Sequence, residues 1–84
     1  MIPTLHLNGT SKERLILDLC TASDALDSAY LALKQTAPNG RDYYPQGPEA
    51  LSLATRDHMD RLRRLDMIKK EVDALTLAID RLPG

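Results

Sequence analysis

Cysteine, large aromatic residues and long apolar runs are scarce or missing in this sequence. The single cysteine, Cys20, excludes an internal disulfide and a multi-cysteine zinc site. There is no tryptophan or phenylalanine, and there are only three tyrosines. No apolar run approaches the roughly 18 residues that a membrane span needs, and the N-terminal residues lack the basic and long apolar regions of a signal peptide. We therefore expect a single domain of 84 residues in a reducing cytoplasm.

A strong excess of either charge is also missing. The net charge is −1, whereas proteins that bind long nucleic acids usually carry a clear basic excess. The charge is nevertheless uneven, because residues 56–70 hold six basic side chains against three aspartates. This segment is either a solvated helix face with ion pairs four residues apart or a surface for a small anion. We expect neither long nucleic acid nor a membrane among the partners.

The first strong pattern predicts a helix over residues 11–36. Thr10 and Glu13 have the spacing of a capping box, which marks the start of a helix. The run Pro38 to Gly40 ends it. Between these signals, apolar side chains recur at alternating spacings of four and three, which is a heptad-type stripe; its members are Leu15, Leu19, Ala22, Leu26, Ala29 and Leu33.

A second and longer helix is predicted over residues 48–82. Pro48 suits the first position of a helix, and Pro83 with Gly84 ends the pattern. The stripe of this helix repeats in the same way and comprises Leu51, Ala54, His58, Arg61, Leu65, Ile68, Val72, Leu75, Ile79 and Leu82. Residues 37–47 form a connection short enough to predict an antiparallel helical hairpin. The fold class is therefore all-α.

The lengths of the two helices decide what happens to their apolar surface. At about 1.5 Å per residue they span roughly 39 and 52 Å. If residue 11 faces residue 73, the last turns of the second helix overhang the first. Two helices cannot enclose a core, so we expect a homo-oligomer with the overhang in its interface. Residues 1–10 are expected to form an extended arm packed on the overhang, or a strand paired with a second copy.

Two polar residues, His58 and Arg61, interrupt the second apolar stripe. Buried charges normally have partners, so their presence needs an explanation. One is that Leu62 takes the core position while Arg61 extends to solvent and His58 makes a single hydrogen bond. The other is that His58 and Arg61, one turn apart on one face, bind the same phosphate or carboxylate.

The loop between the helices is a second candidate site. Asn39-Gly40 favours positive backbone angles and a tight turn. Arg41 offers a planar fork for phosphate, and Asp42 can hydrogen-bond a ribose or pair with Arg41. Tyr43 and Tyr44 offer rings that stack on a base and hydroxyls that hydrogen-bond. The alternative is a tyrosine lid over the open end of the hairpin.

The stretch His6–Ser11 is a third candidate. Capping explains Thr10, but it does not explain His6 and Asn8, whose side chains point to one side if the segment is extended. The alternative is a surface arm with incidental polar groups. This stretch and the tyrosine loop lie at opposite ends of the first helix, roughly 35–40 Å apart. They can therefore bind one small ligand only if they come from different subunits.

The sequence contains few of the motifs that catalysis or metal binding requires. The sequence has no phosphate-binding glycine loop, no H-E-x-x-H and no nucleophile–base pair near in sequence. A metal site would have to join His6 and His58 from distant places. We expect the protein not to be an enzyme and to use neither a metal nor a cofactor.

The motifs "HLNGTS" (6–11) and "NGRDYY" (39–44), with the spaced His58 and Arg61, resemble signatures of small phage and prophage proteins. Residues 11–82 also resemble in architecture the helical-hairpin sponge proteins of phage anti-CBASS and anti-Thoeris counter-defence. The resemblance implies a non-catalytic oligomer in the host cytoplasm that sequesters a cyclic oligonucleotide or cyclic ADP-ribose-type messenger in pockets between subunits. The alternative is a structural or protein-interaction helical accessory protein without a small-molecule ligand.

Overall fold

The computed structural model describes all 84 residues, and every regular element in it is helical. Helix α1 spans Lys12–Lys34, α2 is a single turn at Gly40–Tyr43, a 3-10 turn follows at Tyr44–Gln46, and α3 spans Ala50–Asp80. The predicted all-α class is confirmed. Both long helices are slightly shorter than predicted, and the predicted loop contains α2 and the 3-10 turn.

The start of α1 differs by one residue from the predicted capping box. The side chain of Ser11 accepts a hydrogen bond from the backbone N–H of Arg14 at 3.1 Å. Ser11 is therefore the cap, and the prediction of Thr10 was wrong. A hydroxyl at either position can satisfy a free N–H group of the first turn, but the residue three after Ser11 is an arginine, which cannot complete a capping box.

The start of α3 also differs from the prediction, which placed Pro48 at the first helical position. The N–H of Ala50 donates to the carbonyl of Gly47 at 3.3 Å. Gly47 has a φ of 110°, in the left-handed region that favours glycine. Pro48 and Glu49 form the turn that follows, so α3 begins at Ala50.

Helices α1 and α3 lie side by side and run in opposite directions. The Lys12 ammonium donates to the carbonyl of Leu82 at 2.7 Å, and the Ser23 hydroxyl donates to the Asp73 carboxylate at 2.6 Å. Residue 73 therefore faces residue 23, not residue 11, and the predicted overhang at the end of α3 was wrong. Sliding the helices would break both polar contacts. The extra length of α3 lies instead at its beginning, where the connection packs against it.

The core between α1 and α3 is thin. Among apolar side chains only Leu62 and Ile79 are buried, together with the polar Ser23 and His58. The molecule measures 61 × 19 × 17 Å, so no further layer of helix covers either side of the pair. Most apolar side chains of the two stripes remain half-buried or exposed.

The buried face of each helix is turned only in part from the predicted stripe, because His58 and Ile79 of the α3 stripe are buried as predicted. In α1, Ser23 is buried whereas Ala22 and Ala29 are exposed. In α3, Leu62 is buried and Arg61 is exposed. The observed rotation places a guanidinium in solvent, where it needs no partner. It also leaves one flank of each apolar stripe uncovered.

A polar network joins the two helices near their middle. The Lys69 ammonium donates to Ser23 at 2.8 Å and to Asp73 at 2.9 Å, and it pairs with Asp27 at 3.4 Å. Hydrogen bonds from Ser23 and then Lys69 lower the pKa of Asp73. The hydrogen bond to Asp73 is the main reason that the pKa of Lys69 is raised. The network therefore favours one helix register.

Replacing Ser23 with alanine should bring the pKa of Asp73 back toward its ordinary value of 3.8, because the principal donor to its carboxylate is removed. In the wild type, the ionised carboxylate stabilises the fold above that value, and the contribution is lost as the pH falls through the lower folded pKa. The Lys69 contribution is complete below 10.5 and is lost as the pH rises through the higher folded pKa.

Carbon-detected NMR titration of the Asp73 carboxyl group measures this change. The matched control is Ser28→Ala, which removes an exposed hydroxyl of the same helix and should leave the titration of Asp73 as it is. An Asp73 titration that is identical in Ser23→Ala and the wild type would show that the Ser23 hydrogen bond does not form in solution.

Candidate functional site

A groove lies between the interhelical connection and the first turns of α3. Its volume is about 620 Å³, within the range of roughly 300–1,000 Å³ that is usual for small-molecule sites. Tyr43 of α2 contributes to one wall, and Leu53, Asp57 and Arg61 of α3 contribute to the other. The groove is open to solvent on one side, because no second layer of helix covers it.

Helical spacing and a short cap place these side chains together. Asp57 and Arg61 are four residues apart and therefore lie on one face of α3. On the other wall, the Asn39 side chain accepts from the backbone N–H of Asp42 at 3.3 Å and caps α2. Gly40 has no positive φ, so the predicted tight turn at Asn39-Gly40 was wrong. The cap starts a helical turn there instead.

The structure divides the residues that were predicted for the loop. Tyr43 is half-buried and lines the groove, as does Arg61. Tyr44 is 78% exposed and lines a smaller neighbouring cleft with Tyr43. Arg41 and Asp42 are exposed and line neither cavity. The ion pairs of the molecule do not include an Arg41–Asp42 pair, so that predicted pairing is not observed.

His58 and Arg61 do not act together within one chain. His58 is only 4% exposed, and its Nδ1 atom is buried without a hydrogen-bond partner. Arg61 is exposed and lines the groove. Residues three apart are separated by about 60° around the helix axis, so His58 lies on the inner face whereas Arg61 lies at its exposed edge. The expectation that both reach one anion does not hold for a single chain.

The His6–Ser11 stretch folds into a turn followed by the α1 cap. The N–H of Gly9 donates to the carbonyl of His6 at 3.1 Å. A Cβ atom on Gly9 would lie 2.8 Å from Nε2 of His6, so the imidazole folds over the glycine. The segment is not extended here, and the expectation that His6 and Asn8 point to one side therefore fails. Asn8 is exposed.

His6 lines a separate cleft of about 330 Å³ at the other end of the molecule, together with Leu5, Lys12 and Pro83. This cleft lies where the end of α3 meets the start of α1, whereas the groove lies at the start of α3. Residues 1–6 form no regular structure. In a single chain, the two predicted halves of the site are therefore too far apart for one small ligand.

Asp57 is a groove residue that sequence reasoning did not single out. An aspartate among arginines is typical of an ion-pair partner on a solvated helix face. The available signal was its position four residues before Arg61, on the same face. Arg61 itself forms no ion pair, whereas Arg63 and Arg64 both pair with Asp60. The guanidinium of Arg61 is therefore free to bind an acceptor from outside the chain.

The charge of the groove limits what one chain can bind. Its walls carry the carboxylates of Glu49 and Asp57 and the single guanidinium of Arg61. Arginine offers a fork of donors that matches phosphate, and a carboxylate can accept from a ribose hydroxyl. A second phosphate would find no further cation in the groove of one chain.

No group of three or more histidine, cysteine, aspartate or glutamate side chains is arranged to hold a metal ion. None of the helices has both the length and the apolar character needed to cross a lipid bilayer.

Comparison with protein-family models, curated proteins and solved structures finds no match for the chain.

Proposed function

We propose that the protein is a non-enzymatic, oligomeric binding protein of phage type that sequesters a nucleotide immune messenger. Its ligand is a cyclic oligonucleotide or a molecule of the cyclic ADP-ribose type, and the site lies between subunits in the host cytoplasm. The observation that carries this proposal is the groove of about 620 Å³ that both Tyr43 and Arg61 line. The resemblance to the helical-hairpin sponge proteins supports the choice of ligand class.

The chemistry of the groove suits one half of such a ligand. The Arg61 guanidinium binds a phosphate through two parallel N–H groups. The Tyr43 ring lies against the base or presents its hydroxyl to it. Asp57 accepts from a ribose hydroxyl. These three groups come from two different elements and face one cavity, whereas no nucleophile with an adjacent base is present there.

Assembly supplies the groups that one chain lacks. The groove of a single chain holds more carboxylates than cations, so a ligand with two phosphates needs further donors. A second subunit also covers the open side of the groove and excludes water, which strengthens each polar contact. We therefore place the complete site at a contact between copies of the chain. His6 and Asn8 then belong to the site only as residues of a neighbouring subunit.

Thermal-shift measurements with cyclic dinucleotides, cyclic trinucleotides and cyclic ADP-ribose isomers test this function. At least one of these ligands should raise the melting temperature of the wild type, because a ligand that binds only the native state stabilises it. Arg61→Ala and Tyr43→Ala should weaken binding. For Arg61 we expect a loss of at least about 10- to 150-fold, which is the range for one of its two hydrogen bonds to a charged group.

Arg56→Ala is the matched control, because Arg56 is an exposed arginine of the same helix that does not line the groove. It should leave the affinity within about threefold of the wild type, since surface substitutions rarely exceed 0.5 kcal/mol. No shift with any of the nucleotides, or an equal loss in Arg56→Ala and Arg61→Ala, would contradict a nucleotide site in the groove.

The second candidate function is a structural or protein-interaction role without a small-molecule ligand. The observation in its favour is the uncovered apolar flank that runs along α1 and α3, where Ala22, Ala29 and Ile68 are exposed. This function accounts for the flank but not for the unpaired guanidinium of Arg61 in the groove that Tyr43 also lines. It becomes the preferred function if none of the nucleotides raises the melting temperature.

A further inference from the structure

The surface of the isolated chain is larger than that of an ordinary small protein. Its accessible area is 6521 Å², whereas a folded monomer of 9.3 kDa usually exposes about 5,000 Å². The difference, roughly 1,500 Å², exceeds the ~800 Å² that each partner contributes to a stable protein interface. The chain therefore has enough surplus surface for one complete interface.

The uncovered flanks of the two stripes lie on the same side of the helix pair. In both helices, the residue that precedes a buried residue lies on the flank. Ala22 precedes the buried Ser23, and Arg61 precedes the buried Leu62. Because both helices are right-handed and they run antiparallel, the side chains of these preceding residues point to the same side of the helix pair. The flanks thus form one surface, called the stripe face here, which comprises the exposed Ala22, Ala29 and Ile68 and the half-buried Leu26, Leu33 and Leu75.

The stripe face is apolar along α1 and has the groove at one end. The stripe of α1 contains only leucine and alanine from residue 15 to residue 33. Ala22 and Ala29 are small and exposed, so another helix can approach closely there. Asp57 and Arg61 of the groove lie on the same side, because they precede the buried His58 and Leu62. A partner on the stripe face would therefore reach the groove as well.

The two halves of α3 carry opposite net charge, which favours one direction for a second copy. Residues 56–70 hold six basic side chains against three aspartates, whereas residues 71–84 hold three acidic side chains against one arginine. Ser23 meets Asp73 and Lys69 meets Asp27, so Leu26 of α1 lies level with about residue 70 of α3. A second copy that is turned end for end about this level places its acidic half against the basic half. Copies running in the same direction would place like charges together.

We propose that a second copy of the chain docks on the stripe face, end for end, about a twofold axis near Leu26. Ala22 of one copy then lies against the partner's Ala29, and the reverse contact follows from the symmetry. With Ala22 opposite the partner's Ala29, and with Ser23 level with Asp73 in each copy, the same axis brings Lys12 at the start of α1 to the level of the partner's Asp57. The turn at residues 6–11, which precedes Lys12, thereby arrives beside the groove of the other copy. This inference deepens the assembly assumed in the proposed function and names the surface that forms it.

Cysteine cross-linking in the full chain tests the register of this dimer without any ligand. The exposed Cys20 is first replaced with serine in every variant. The double variant Ala22→Cys/Ala29→Cys should form a covalent dimer under mild oxidation, seen on a non-reducing gel. Each single variant should remain uncoupled, because residue 22 meets residue 29 and not itself. A single variant that links efficiently, or a double variant that does not link, would overturn the proposal.

Light scattering provides a second measurement that does not depend on disulfide geometry. Ala22→Glu should reduce the mass toward the 9.3 kDa of one chain while the circular dichroism stays helical, because residue 22 is exposed in the isolated chain. Ala32→Glu places the same charge at an exposed position of α1 outside the stripe face and should keep the wild-type mass. Equal masses for the two variants would also overturn the proposal.

The cross-linking and nucleotide experiments separate the two proposals. Cross-linking without any nucleotide shift would leave the stripe-face dimer standing and remove the nucleotide function. A nucleotide shift that depends on Arg61, in a protein whose double cysteine variant does not link, would keep the function and remove the stripe-face dimer.

Discussion

Ile79→Ala is expected to lower the free energy of unfolding by about 2–5 kcal/mol. Ile79 is 1% exposed and is the one large side chain that is completely buried. Its truncation removes apolar contacts and leaves a cavity that two rigid helices cannot easily close. Small domains are usually stable by only about 5–15 kcal/mol, so a large part of the stability would be lost. Urea unfolding followed by circular dichroism, at one protein concentration, measures the effect.

Leu77→Ala is the control for this prediction. Leu77 lies in the same half of α3 but is 54% exposed, so its truncation should change the free energy by no more than about 0.5 kcal/mol. Both variants must be compared at the same concentration, because an oligomer is stabilised by mass action. Similar losses in the two variants would mean that the contact between α1 and α3 does not bury Ile79 as described.

His58→Leu is expected to act in the opposite direction and to stabilise the protein by about 1–3 kcal/mol. The Nδ1 atom of His58 is buried and has no hydrogen-bond partner. An unsatisfied buried polar atom costs its full desolvation energy, which an apolar side chain of similar size does not. Urea unfolding measures the gain. Met59→Leu, at the 58% exposed neighbouring position, is the control and should have almost no effect.

A loss of stability in His58→Leu would mean that the imidazole has a partner in solution. The nucleotide screen adds a second readout on the same variant. Because His58 is 4% exposed and does not line the groove, His58→Leu should keep the ligand-induced shift that Arg61→Ala loses. A loss of that shift in both variants would place His58 in the site after all.

The two long helices were predictable because their signals are local. Apolar residues recur with the helical period over more than twenty positions, and Pro-Gly pairs and capping residues mark the ends. The register of the pair was not predictable in this way. It depends on Ser23, Lys69 and Asp73, three polar residues that individually suit a solvated helix face and acquire a role only when the two helices meet.

The rotation of the helices escaped prediction for a related reason. Each stripe has apolar or small residues on both sides of its centre, so shifting the contact by one residue costs little apolar burial. Polar groups therefore decide which residues of each helix face the other helix. Burying Arg61 is unfavourable, whereas Ser23 can donate to Asp73. Sequence reasoning offered Leu62 as an alternative core residue to Arg61, and the structure places Leu62 in the core.

The candidate site was predictable in part. Tyr43 and Arg61 were both named from the sequence, and the structure brings them to one groove. Asp57 was missed because an aspartate among arginines looks like an ion-pair partner. The orientation of His6 could not be predicted from the sequence either, because it follows from a turn that Gly9 permits by lacking a Cβ atom. Whether His6 and Asn8 contribute to the site depends on a second chain.

The hydrogen bond from Lys12 to the carbonyl of Leu82 has a practical meaning for protein engineering. It holds the first turn of α1 beside Leu82, just past the end of α3, so the start of α1 and the end of α3 lie together at the end of the molecule away from the groove. A short flexible linker can therefore join them into a closed ring. Such a ring would shrink the unfolded ensemble without touching Tyr43 or Arg61, and it would provide a sturdier scaffold for reshaping the groove.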